Sequence, residues 1–81
     1  MVKNRPIQTT EKLSNIPKGI VKQIKHINDP SLANKLCSMG ILPGAPIQII
    51  RKLWASSSYY VKADTLFLAL RSNEAAAIVV G

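Results

Sequence analysis

The sequence predicts a mainly β fold: a small barrel of about five short strands, with one short helix inserted after the first strand. Three observations carry this expectation. The chain has 81 residues, 47% of them hydrophobic, which supports one compact domain with a single core. Residues 29–40 give the clearest repeat of apolar positions at helical spacing. From residue 43 onward, short apolar runs rich in β-branched and aromatic residues alternate with brief turn signals. Short strands around so small a core, with no edge to spare, favour a closed or nearly closed barrel.

Each element follows from local chemistry. Residues 1–12 (MVKNRPIQTTEK) are polar and aperiodic, so they read as a flexible N-terminal arm ahead of a domain spanning 13–81. Pro17-Lys18-Gly19 is a turn, in which proline presets φ and Gly19 supplies the positive φ that closes it. The run Ile20–Ile27 fits a strand, and the three-residue spacing of Ile24 and Ile27 predicts a bulge or bend before Asn28. Asp29 is an N-cap and Pro30 suits the first helical position. Leu32, Leu36 and Met39 then share one helix face, with Ala33 and Cys37 beside it. Gly40 ends the helix in a left-handed conformation, and Pro43-Gly44 turns the chain. Strands follow at Ile47–Arg51, Tyr59–Lys62, Leu66–Arg71 and Ala77–Val80, separated by loops at Ala55–Ser58, Ala63–Thr65 and Ser72–Glu74.

The chemistry-bearing inventory is thin. The acids are Glu11, Asp29, Asp64 and Glu74, each at a predicted turn, cap or tail, whereas acid–base catalysis needs two titratable groups held together. Glu74 reads as a turn or surface charge. His26 and Cys37 flank the Asp29 cap from opposite sides, which leaves a Cys–His dyad as a minor alternative to a surface histidine and a small packing cysteine. A metal bridging two copies through His26 is the corresponding metal alternative. One cysteine excludes an internal disulfide framework and a CxxC zinc site. No enzyme activity, cofactor or intramolecular metal site is expected.

Eleven basic against four acidic residues give a net charge of +7, which favours acidic partners or simply keeps the domain soluble. No apolar run approaches the ~20 residues of a membrane span, and no apolar stretch follows the charged start, so a cytoplasmic protein is expected. Lys3, Arg5 and Lys12 would make only a weak lipid anchor, peripheral at most. Trp54, Tyr59 and Tyr60 flank the serine-rich loop. They read as a protein-binding anchor, as the cover of a barrel end, or, beside Arg51, Lys52 and Lys62, as a base-stacking site.

Three stretches resemble the FeoA family, the small cytosolic component of bacterial ferrous-iron uptake. Leu36 to Gly44 (LCSMGILPG) is similar to its L-x-x-M-G-[IL]-x-P-G segment, Leu13 to Gly19 (LSNIPKG) to its opening L-x-x-[LI]-x-x-G, and Leu68 to Ile78 (LALRSNEAAAI) to its closing [LI]-A-L-R-x-x-E-A-x-x-I. The resemblance spans residues 13–80 in order and spacing. It implies an SH3-like barrel in which Leu36, Gly40, Pro43, Gly44, Gly19 and Glu74 are structural, as the helix start already makes Asp29 and Pro30. It also implies an accessory role on the membrane ferrous-iron transporter, whose cytosolic part carries a GTPase domain. The same module resembles the C-terminal domains of some metal-dependent repressors, but a chain holding little else favours the stand-alone transport component.

Two positions depart from the family pattern. Lys22 stands where a small residue is usual, and Trp54-Ala55-Ser56-Ser57-Ser58-Tyr59-Tyr60 replaces a P-x-G-D-P hairpin. The expected function is therefore non-catalytic docking on the transporter's cytosolic domain. The expected contact residues are Met39, Ile41, Leu42, Trp54, Tyr59 and Tyr60, rimmed by Lys35, Arg51 and Lys52. Core packing is the alternative for Met39 and Ile41. A basic nucleic-acid-binding or repressor-type module is the alternative function, though no stable nucleic-acid complex is expected.

Overall fold

A computed structural model describes residues 10–81 of the chain; residues 1–9 of the expected arm lie outside the described residues. Six antiparallel strands form one sheet: β1 (Glu11–Lys12), β2 (Lys22–Ile27), β3 (Pro46–Leu53), β4 (Ser58–Ala63), β5 (Leu66–Arg71) and β6 (Ile78–Val80), in the spatial order β1-β6-β2-β3-β4-β5. Helix α1 (Pro30–Ser38) follows β2, and a six-residue helix, α2 (Ser72–Ala77), connects β5 to β6.

Strand β2 turns the sheet back on itself. Its first residues pair with β3, Lys22 opposite Ile47 and Gln23 opposite Pro46, while Ile24, His26 and Ile27 pair with β6. The register shifts between Ile24 and His26, where the sequence predicts a bulge. Two backbone bonds brace this corner: Ile24 N–H donates to Ala45 O at 2.9 Å and Gly44 N–H donates to Ile24 O at 2.6 Å. The sheet is barrel-like but not closed, since β1 and β5 are both edges. Helix α2 packs against β5, β1 and the 3-10 turn Leu13–Asn15, so it occupies the opening between those edges.

Leu13, Ile16, Ile24, Leu32, Leu36, Ile41, Ile47, Ile49, Val61, Leu70, Ala75, Ile78 and Val80 are buried in one core. In the sheet these come from alternating residues of β3, β4 and β5, as period two requires. The inward rows read Ile47-Ala63-Leu66 and Ile49-Val61-Leu68 across the three strands.

The helix forms as the sequence predicts. Asp29 accepts from Ser31 N–H at 3.0 Å and Leu32 N–H at 3.3 Å, and Pro30 occupies the first helical position. At the other end Gly40 adopts φ +83°. Gly40 N–H donates to Cys37 O at 2.9 Å and Ile41 N–H to Leu36 O at 2.8 Å, a Schellman stop that folds Ile41 onto Leu36.

Several boundaries differ from expectation. Ile20 and Val21 are exposed and precede the strand, because Pro17–Gly19 is tied to β3 through Gly19 N–H donating to Ile49 O at 2.8 Å. Glu11 and Lys12, assigned by composition to the arm, pair with Val80 and Val79; two residues carry no readable period. Ser72–Glu74 opens a helix rather than a turn, with Arg71 N–H donating to Glu74 Oε1 at 2.9 Å and Ala75 buried. Ala77 belongs to that helix, not to the last strand. Leu66 keeps its inward register opposite the buried Ala63, yet it is exposed at the start of the edge strand β5.

Candidate functional site

The residues expected at one contact surface divide between two places. The first is a groove of about 350 Å³ between α1, the end of β2 and the loop that follows α1, lined by His26, Ile27, Ala33, Asn34, Cys37, Ile41, Leu42 and Pro43. Two consequences of the Schellman stop shape it. Ile41 folds inward until only 1% of it is exposed, so it forms the groove floor and core rather than a contact knob. Leu42, the next residue, is thrown outward and is 52% exposed, with Met39 exposed on the same bend. Lys35 is exposed on α1, one turn away.

The second place is the β3–β4 hairpin. Its connection is a 3-10 turn, Trp54–Ser56, closed by Ser57 in the left-handed region at φ +51°. Trp54 is 81% exposed. Tyr59 is half-buried against the core while Tyr60 faces outward, as consecutive strand residues must. Lys52 Nζ lies 5.8 Å from the Tyr59 ring centroid. On the outer face Tyr60 and Phe67 stack at 5.8 Å between centroids, and Lys62 Nζ lies 5.7 Å from the Phe67 centroid. Arg51 pairs opposite Tyr60 after a register shift at Ile50 and shares that face. The stacked pair was not singled out in the sequence, although Phe67 falls diagonal to Tyr60 once the register is known.

These two places are the ends of β3. Seven residue steps from Pro46 to Leu53 separate them by roughly 20 Å. Met39 and Leu42 therefore do not share a patch with Trp54 and Tyr60.

The titratable groups stay dispersed, with one exception. Asp29 caps α1, Glu74 holds the Arg71 amide, Asp64 sits in the β4–β5 turn at φ +56°, and Glu11 is on β1. His26 and Cys37, separated in sequence by the helix cap, both line the α1 groove. Helix α1 folds back beside β2, a tertiary relation that local pattern does not contain. Among the described residues no three His, Cys, Asp or Glu side chains converge as metal ligands. No helix among them is long and apolar enough to cross a membrane.

Comparison with known proteins places this geometry in a family. The FeoA domain model matches residues 11–81. The fold is similar to a crystal structure of the iron uptake regulatory protein FeoA, with a TM-score of 0.74 at 23% identity over 91% of this chain and 97% of that one. It is similar to iron(II) transport protein A from Clostridium thermocellum, with a TM-score of 0.73 at 31% identity over 85% of this chain and 43% of that one. A manganese-dependent transcriptional repressor shares the fold as well, with a TM-score of 0.81 at 22% identity over 94% of this chain but 42% of its own. Comparison with curated proteins returns no match.

Proposed function

The chain belongs to the FeoA domain family, and on that premise we propose that it is a non-catalytic accessory protein of ferrous-iron transport. It acts in the cytoplasm by docking on the GTPase-containing cytosolic domain of the membrane transporter. The observation that carries this reading is the α1 groove. Four of its lining residues, Cys37, Ile41, Leu42 and Pro43, lie within one of the three segments that resemble the family, and Leu42 projects from it unburied, with Met39 exposed on the same bend. An apolar lip beside the Lys35 cation fits a partner surface with an apolar centre and an acidic rim.

Docking regulates only if this domain binds one nucleotide or gate state of the partner more tightly than the other. No acid–base pair or phosphate-cradling glycine loop is needed for such a role. Likeness to the repressor rests on 22% identity and concerns the fold, so it does not favour a transcriptional reading.

The test is titration of the full chain against the transporter's cytosolic domain loaded with GDP or with a GTP analogue. Binding should differ between the two states, and Leu42→Asp should weaken it by about tenfold or more while thermal melting stays unchanged. Absence of binding in both states by folded protein, or binding indifferent to Leu42→Asp, would overturn docking through this groove.

A further inference from the structure

Trp54 is the sequence's single tryptophan and the most exposed large apolar side chain among the described residues. It stands on the turn between β3 and β4, followed by Ala55, Ser56 and Ser57, which are small and exposed. Tryptophan carries a large apolar area that proteins ordinarily cover. Its aromatic neighbours are occupied: Tyr60 and Phe67 stack on each other, Lys62 covers Phe67 and Lys52 covers Tyr59. The charges around the tip have one dominant sign. Arg51 and Lys52 end β3, Arg71 lies opposite Ser58 at the same end of the sheet, and β3, β4 and β5 contain no acid. Glu74 is the acid closest in sequence to Arg71, and its carboxylate is engaged by the Arg71 amide.

We propose that the β3–β4 tip, Trp54 with Arg51, Lys52 and Arg71, is a peripheral binding site for an anionic lipid surface. An indole combines an apolar body with one N–H donor and is suited to the headgroup level of a bilayer. Cations set back from the tip meet lipid phosphates as the ring enters. Single-stranded nucleic acid offers the same charge, but it binds through ring faces free to stack along a sheet. Here the sheet's rings already have partners and the free ring projects from a tip. The site is separate from the α1 groove, and its test does not depend on transporter docking.

The only tryptophan makes its own probe. The full chain is mixed with phosphatidylcholine vesicles with and without phosphatidylglycerol, followed by co-sedimentation and tryptophan emission. Binding to the anionic vesicles should come with a blue shift and with quenching by lipids brominated near the headgroup. Trp54→Ala should weaken co-sedimentation by about tenfold, Trp54→Phe by less. Arg51→Gln and Arg71→Gln should each cost about fivefold, and added salt should weaken binding further. Three results would overturn the proposal: no binding to anionic vesicles by folded protein, binding without any change in emission, or binding that survives Trp54→Ala and so belongs elsewhere on the chain. A single-stranded oligonucleotide that quenches Trp54 and displaces the vesicles would assign the tip to nucleic acid instead.

Discussion

The two ends of β3 obey different rules. At Ile47 the strand has a neighbour on each side, β2 and β4, and Ile47 and Ile49 are fully enclosed. Beyond the register shift at Ile50 only β4 remains beside β3, so Arg51, Lys52 and Leu53 form an open edge of the β3-β4-β5 sheet. A strand that has lost one neighbour leaves that flank open, and Arg51 and Trp54 are exposed there while Lys52 and Leu53 are half-buried. The first end stores the stability of the domain, and the second presents side chains to solvent.

The sharpest way to break that contrast is Ile49→Ala. Ile49 is 0% exposed and touches the inward row Val61-Leu68. Its truncation should cost ~2–5 kcal/mol, much of the ~5 kcal/mol of stability expected of so small a domain. Urea denaturation should show the midpoint shifted far towards zero denaturant. A loss below about 1 kcal/mol would mean that the enclosed end is not where the stability lies.

How much of this was legible in sequence follows the same division. Alternation fixes which face of each strand is apolar, and the Asp29-Pro30 start and Gly40 stop bracket α1 to within a residue or two. The sequence cannot say which strand ends up at the sheet's edge, because pairing partners are set by the whole sheet; hence Leu66, on the inward row of β5, is exposed. Ile41 and Leu42 look alike in sequence, yet the 6→1 bond from Ile41 to Leu36 separates them into core and surface. Helix α2 is not legible in sequence because Ser-Asn-Glu is also turn chemistry, and the packing that favours the helix, against the 3-10 turn at Leu13 and the neighbouring strands, is tertiary. Residue type singles out the contact residues but says nothing of their place. Their division between the two ends of β3 could not have been read before the strand's length was known.

A smaller effect sharpens the comparison at the enclosed end. Gly40 holds φ +83° with open space where a Cβ would stand, so Gly40→Ala meets no clash and its cost is conformational alone, about 1–2 kcal/mol. Chemical denaturation should register that loss. Because the stop also aims Ile41 inward and Leu42 outward, the variant should lose groove binding in the docking titration beyond what its stability accounts for. Intact binding would show that the groove does not depend on the Schellman geometry.

The smallest expected effect is at the free end, and its smallness is informative. Trp54 is 81% exposed, so Trp54→Ala opens no cavity and removes few contacts. The turn beneath it is held by backbone, through Ser57 N–H donating to Trp54 O at 3.2 Å and Ser72 N–H donating to Ser57 O at 3.0 Å. Neither bond requires the indole. Thermal melting of Trp54→Ala should therefore match the parent to within ~0.5 kcal/mol. A side chain that contributes nothing to folding while exposing this much apolar surface has its use in contact with something else. A loss above about 1 kcal/mol would instead make the indole a cover for the end of the core, and the contrast between the two ends of β3 would fail where it is most exposed to test.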